Sequence, residues 1–227
     1  MMKFCFKIRK QLLAIFDVEG VLYDAEYLPI LAEKLGKEHE IWDITKKGIQ
    51  GTINWEEGLI KRVELLKGLD FDTCKEVADS LPIMSGAIEA CKILKNAGWK
   101  VMAVSGGFTI MTDRLKKILD LDHVFTNELL FKDGKLDGVK INVDSDKAKS
   151  ARIKIQEWSI PKEEIVVIVD GANDIKLFDI CGLGIAFRAQ DLVKELATIT
   201  LEEKDLSKII DIINEHYELA LPLALSP

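Results

Sequence analysis

The stretch LLAIFDVEGVL, residues 12–22, decides how the rest of the chain is read. Five apolar residues, Leu12 to Phe16, run straight into Asp17, with Glu19 and Gly20 close behind. A short unbroken apolar run ending in an acid and a glycine reads as a strand buried on both faces, as in a parallel sheet. Open α/β sheets bind their ligands beyond the carboxyl ends of the strands, which is where Asp17 falls. A carboxylate held there can bind a cation, attack an electrophile, or do both. Acidic residues also end strands simply as turn formers.

Upstream, MMKFCFKIRKQ is basic and leads into an apolar run, superficially like a signal peptide. The apolar run is short, and Asp17 follows it with no small-residue cleavage site. Downstream, residues 24–80 carry helical periodicity and no strand signal. Amphipathic helices are predicted over Tyr27–Leu35, Glu38–Ile49, Trp55–Lys67 and Asp72–Asp79. From Ser85 the pattern alternates between helix and strand. Helices are predicted over 85–97, 107–119, 146–158, 173–180 and 205–216, and strands over 99–104, 123–126, 165–169, 183–187 and 197–201. A hairpin near residues 127–141 turns at Asp133-Gly134. The expected fold is α/β: a Rossmann-like, doubly wound parallel sheet formed by residues 1–23 and 81–227. Residues 24–80 form a helical cap inserted after the first strand, placed to act as a lid.

Composition narrows the function. The chain has 227 residues, 48% hydrophobic and 30% charged, enough for a sizeable core. A formal net charge of −7 and no basic stripe argue against nucleic acid as a partner. No stretch approaches membrane-spanning length. The four cysteines show no paired spacing, and the three histidines lie too far apart for a zinc site. The expectation is a soluble cytoplasmic protein with reduced thiols, compatible with a homodimer. The tail ELALPLALSP is apolar and is expected to dock either on a partner or on the core.

Three other stretches carry chemistry. In VMAVSGGF an apolar strand meets Ser105-Gly106-Gly107. This can be a phosphate cradle of hydroxyl and backbone N–H groups, or an ordinary glycine turn. In IVVIVDGANDIKLF a strand ends at Asp170, followed by Asn173 and Asp174. Such oxygen donors suit a hard cation such as Mg²⁺, whereas an Asx turn capping a helix accounts for Asn173 alone. Lys147 and Lys149 follow Asp146, and seen alone they read as surface lysines. In INWEEGLIKRVELL, Asn54 with Glu57 starts a helix like a capping box. At ~100° per residue, Trp55, Leu59, Arg62, Val63 and Leu66 share one face. An arginine in an apolar stripe needs an anion, either a neighbouring carboxylate of the insertion or that of a substrate. Glu26, ahead of Pro29, falls at a helix start, where it can also merely complement the dipole.

In order along nearly the whole chain, DVEGVL, VSGGF, the lysine-bearing KAKSARI and VDGANDIKLF resemble the four motifs of the haloacid-dehalogenase-type phosphatases, most of all the phosphoserine phosphatase subgroup. The resemblance implies an aspartyl-phosphate formed on Asp17, with Glu19 as general acid and base and its backbone carbonyl on Mg²⁺. It implies that Ser105, Gly106 and Gly107 hold the phosphoryl group, that Lys149 neutralises it, that Asp170 ligates Mg²⁺, and that Asn173 and Asp174 complete or orient the metal shell. Arg62, beside Trp55, matches the carboxylate-binding arginine, and Glu26 the residue that receives the substrate ammonium. The implied substrate is a small zwitterionic phosphate ester, phosphoserine foremost. A phosphotransferase, another small-molecule phosphatase, or a weakly active or non-catalytic phosphoamino-acid binder stand as alternatives. Three departures stand out. Glu19 replaces the usual Asp and carries its acid about 1.5 Å further; Gly20 replaces Ser or Thr and is expected to give Glu19 room to fold back; Val169 replaces Gly and is expected to crowd the site.

Overall fold

The computed structural model describes residues 11–223 apart from Gly51 and Asp144; the basic N-terminal stretch and the last four residues lie outside it. The described residues form a seven-stranded sheet in the order β4-β3-β2-β1-β5-β6-β7. Its strands are β1 (Leu13–Phe16), β2 (Lys100–Phe108), β3 (His123–Lys132), β4 (Lys135–Lys140), β5 (Ile165–Val169), β6 (Leu183–Phe187) and β7 (Ile199–Leu201). All pair in parallel except β3 with β4, which form the hairpin through Asp133-Gly134. β1 lies at the centre, with β2 on one side and β5 on the other. Strand order reverses there, which opens a crevice at the carboxyl ends.

Alternation along the strands explains why both faces are apolar. Ala14, Phe16, Val101, Ala103, Val166 and Ile168 point into one core cluster, while Leu13, Ile15, Met102, Val104, Val167 and Val169 point into the other. The first face is covered by α5 (Ala87–Asn96), α6 (Thr109–Ile118) and α9 (Ile209–Tyr217). The second is covered by α7 (Lys147–Trp158), α8 (Asp191–Leu196) and the turn of helix over Ala172–Ile180. That last segment is 3₁₀ rather than the expected α-helix. Leu219 and Leu221 of the tail pack on the first cluster, and Leu221 exchanges two hydrogen bonds with Asn214.

Between β1 and α5 lie α1 (Tyr27–Ala32), α2 (Glu38–Ile49), α3 (Trp55–Leu65) and α4 (Phe71–Ser80), close to the predicted boundaries. Asn54 caps α3 by accepting from Glu57 N at 3.0 Å. Leu59, Val63 and Leu66 of the predicted face are buried. The α3–α4 loop is stitched to the hairpin: Gly68 N donates to Leu136 O at 2.8 Å, Leu136 N to Leu69 O at 2.8 Å, and Phe71 N to Gly134 O at 2.9 Å.

Candidate active site

Asp17 follows β1 and Asp170 follows β5, so two adjacent strands deliver carboxylates to the same end of the sheet. Asp17 N donates to Ile168 O at 3.0 Å, and Gln190 N to Asp170 O at 3.1 Å, so ladder-like bonds carry past the strand ends. Asp174 is brought in by the helical turn after Gly171 and is fully buried. One oxygen from each of Asp17, Asp170 and Asp174 lies within 4.8 Å of the other two.

Lys147 closes this group. Its Nζ lies 2.7 Å from Asp17 Oδ1 and 2.6 Å from Asp174 Oδ1, and the side chain is 4% exposed. Burial works against its charge, but Asp17 and Asp174 overcome that and hold its pKa above the usual lysine value. Lys149, the lysine chosen from sequence, is exposed and lies outside the pocket. Two positions along a helix turn the side chain through ~200°, so the two lysines leave opposite faces. Lys147 shares its face with Ala151, which is buried; Lys149 shares its face with Ile153, which is 59% exposed.

Three carboxylates against one ammonium is an unbalanced buried charge. Burial, then repulsion from Asp17, raises Asp170 to about 7 and lifts Asp174 well above the usual range. The convergent, all-oxygen, net-negative donor set fits a hard divalent cation.

The SGGF segment is not a free turn. β2 runs on to Phe108, and its register against β3 shifts between Val104 and Phe108, which marks a bulge. Ser105 is buried and its Oγ accepts from Gly107 N at 2.8 Å. Asn127 and Thr126 brace the bulge from β3: Asn127 Nδ2 donates to Gly106 O at 2.9 Å and Thr126 Oγ1 to Gly107 O at 2.8 Å. Asn127 Oδ1 in turn accepts from Asn142 N and Val143 N, both at 2.9 Å. Gly106 lines the pocket, and a Cβ there would meet the Trp55 indole at 2.9 Å.

The helical segment forms the opposite wall. Glu19, Glu26, Thr45, Trp55 and Arg62 line one pocket together with Asp17, Lys147, Asp170 and Asn173. The pocket is partly open to solvent, and charged side chains from both the sheet end and the helical segment converge on it. Arg62 Nε donates to Gly58 O at 3.2 Å and its Nη1 to Thr45 Oγ1 at 3.1 Å. No carboxylate of the helical segment pairs with it among the described residues. Burial lowers its pKa, and the fields of Glu19 and Glu26 oppose that. Glu26 sits at the N-cap of α1, yet its side chain makes no capping bond. Glu19 takes that place, its Oε1 accepting from Tyr27 N at 2.7 Å. Burial, followed by the charges of Glu19, Asp170 and Asp17, raises Glu26 well above the usual carboxylate range. Burial also raises Glu19, against the bond from Tyr27.

The sequence profile of the haloacid dehalogenase-like hydrolases matches residues 12–178. The chain belongs to that family. The chain is 40% identical over 208 residues to phosphoserine phosphatase of Methanocaldococcus jannaschii, covering 90% of this chain and 99% of that protein. A phosphoserine phosphatase solved as a phospho-aspartyl intermediate analogue superposes with a TM-score of 0.87 at 38% identity, covering 90% and 99% of the two chains. A substrate-bound phosphoserine phosphatase complex gives 0.87 at 37% identity over the same shares.

Within this haloacid dehalogenase-like scaffold the three departures have structural reasons. Val169 does not crowd the pocket: it is fully buried and points into the second core cluster. Gly20 has φ +79°, and a Cβ there would lie 2.2 Å from Asp170 Oδ2. The room it leaves is therefore taken by Asp170, not by Glu19. The extra methylene of Glu19 reaches the first N–H of α1 instead. Lys147, which reads as a surface lysine in the sequence, is buried among the carboxylates, while Thr45 in the pocket and Thr126 and Asn127 behind the bulge carry no signal in the sequence.

Proposed function

We propose that the protein is a Mg²⁺-dependent phosphomonoesterase acting on L-phosphoserine or a similarly small zwitterionic phosphate ester. One observation carries this reading: a single pocket is floored by Asp17, Asp170 and the twice-paired Lys147, and walled by Arg62 and Glu26. Asp17, Asp170, Asp174 and the backbone carbonyl of Glu19 would hold the cation, whose charge when bound lowers repulsion between a phosphate dianion and these carboxylates.

The residues then divide the work. A carboxylate oxygen of Asp17 attacks phosphorus, and the bond from phosphorus to the ester oxygen breaks. Glu19, whose pKa burial has raised, gives its proton to the departing oxygen, so serine leaves as the alcohol. Glu19 then takes a proton from water, whose oxygen attacks phosphorus, releasing inorganic phosphate and restoring the Asp17 carboxylate. Lys147 and the N–H of Gly106, on the braced bulge, offset charge on the phosphoryl oxygens. Above them, Arg62 grips the substrate carboxylate and Glu26 receives the ammonium. Residues 24–80 act as the specificity cap over this floor. Three buried free cysteines, Cys74, Cys91 and Cys181, support a reducing cytoplasmic setting.

Phosphate release from a panel of small esters, with Mg²⁺ withheld from the control, tests this. L-phosphoserine should head the panel and the control should be silent. Arg62→Ala should cut the ratio of kcat/KM for phosphoserine to that for an aryl phosphate by roughly 100-fold. An unchanged ratio removes Arg62 from substrate selection, and turnover without a divalent cation removes the metal.

A further inference from the structure

Thr45, near the middle of α2, is 1% exposed and lines the same pocket as Arg62. A hydroxyl buried in a helix interface needs a polar partner. Its partner is Arg62, 17 positions further along and on a different helix, whose Nη1 donates to Thr45 Oγ1 at 3.1 Å. The second anchor is the bond from Nε to Gly58 O on α3 itself. A guanidinium has five N–H donors in one plane. Two acceptors on different helices fix the tilt of that plane, whereas the α3 carbonyl alone would leave the far end free to swing. Both hydrogens of Nη2 and one of Nη1 are left for the pocket, enough for a two-point grip on a carboxylate. An arginine already ordered loses less freedom when its ligand arrives.

We infer that Thr45 is a positioning residue: by holding Nη1 it aims the Arg62 guanidinium, and so sets the preference for phosphate esters that carry a carboxylate. This rests on the reading that Arg62 grips the substrate carboxylate. Were Thr45 only a packing residue between α2 and α3, removing its hydroxyl would affect all esters alike.

The test measures kcat and KM of the full chain with Mg²⁺, on L-phosphoserine and on an aryl phosphate, for T45V, T45S, R62A and T45V/R62A. Melting temperatures are recorded for each, and T45A replaces T45V if the latter melts early. T45V should raise KM for phosphoserine by ~5- to 30-fold with little change in kcat, and lower the phosphoserine-to-aryl ratio of kcat/KM accordingly. T45S should restore the ratio to within ~2-fold, and T45V should add nothing in the R62A background. Equal losses on both esters, failure of T45S to rescue, or additive losses in the double variant would each overturn the inference. If R62A leaves the ratio unchanged, the reading of Arg62 fails and this inference with it. If R62A lowers it and T45V does not, Thr45 alone is displaced.

Discussion

The end of the sheet and the helical segment face one pocket and are built by different rules. At the sheet end Asp17 and Asp170 stand one residue past fully buried strands, and backbone bonds hold the chain on either side of them. Their placement comes from the ladder, with short side chains adding little freedom. Across the pocket, Arg62 of α3 and Glu26 at the start of α1 reach in on long side chains, and the guanidinium is tethered by hydrogen bonds to Gly58 O and the Thr45 hydroxyl. Charges set by the backbone ladder on one side and charges carried on long side chains on the other fit the proposed split between catalysis at the sheet end and selection of the ester above it.

That contrast can be broken most forcefully at Lys147. Lys147→Met leaves Asp17 and Asp174 without their shared ammonium, so turnover of every ester should fall by roughly 10²- to 10³-fold. Lys149→Met should stay within ~2-fold on the same assay, and the reverse ranking would restore the lysine picked from sequence. The next largest effect is expected at Gly20. Gly20→Ala places a Cβ against Asp170 and forces a positive φ, which costs about 1–2 kcal/mol before the clash is counted. The melting temperature should drop by ~2–8 °C. The additional rise on adding Mg²⁺ should shrink, because Asp170 has been pushed aside; an undiminished rise would dissociate Gly20 from the carboxylate cluster. The smallest effect falls on the helical side. Asn54→Ala removes the cap of α3 at a cost of about 1 kcal/mol. Differential scanning calorimetry should show a melting point lower by roughly 2–4 °C, with kcat on an aryl phosphate unaltered. A loss of kcat there would mean that the helical wall is part of the chemistry after all.

How much of this was legible in the sequence follows the same division. Strand positions and the convergence of Asp17 with Asp170 could be read because apolar runs and strand-end acids are local signals, and sheet topology does the rest. The face shared by Trp55, Leu59 and Arg62 could be read from helical spacing. What escaped depends on contacts between distant segments. The choice between Lys147 and Lys149 turned on which face of α7 meets the sheet. Ile153, one turn after Lys149, is apolar yet exposed, whereas the small residues Ala148 and Ala151 line the buried side. Asn127 and Thr126 acquire their role only when β3 pairs with β2 and their side chains reach the bulge. Thr45 likewise carries no mark of its partnership, since α2 and α3 are separate periodic units. Gly20 was noticed as a departure, but its cause lay 150 positions away in Asp170.

The stitches between the α3–α4 loop and the β3–β4 hairpin have one more consequence. A helical unit joined to the sheet only where the chain passes in and out would stand at whatever height its joints allowed. Here Gly68, Leu69 and Phe71 are bonded to the hairpin arm and tip, so the hairpin serves as a pillar under the far rim of the roof. The hairpin is thus one of the supports that hold α3, and with it Arg62, over the sheet end; the packing of α4 on α6 is another. An insertion or deletion beside Asp133-Gly134 would disturb the bond from Phe71 N to Gly134 O and so act on the helical unit without touching a residue of the pocket.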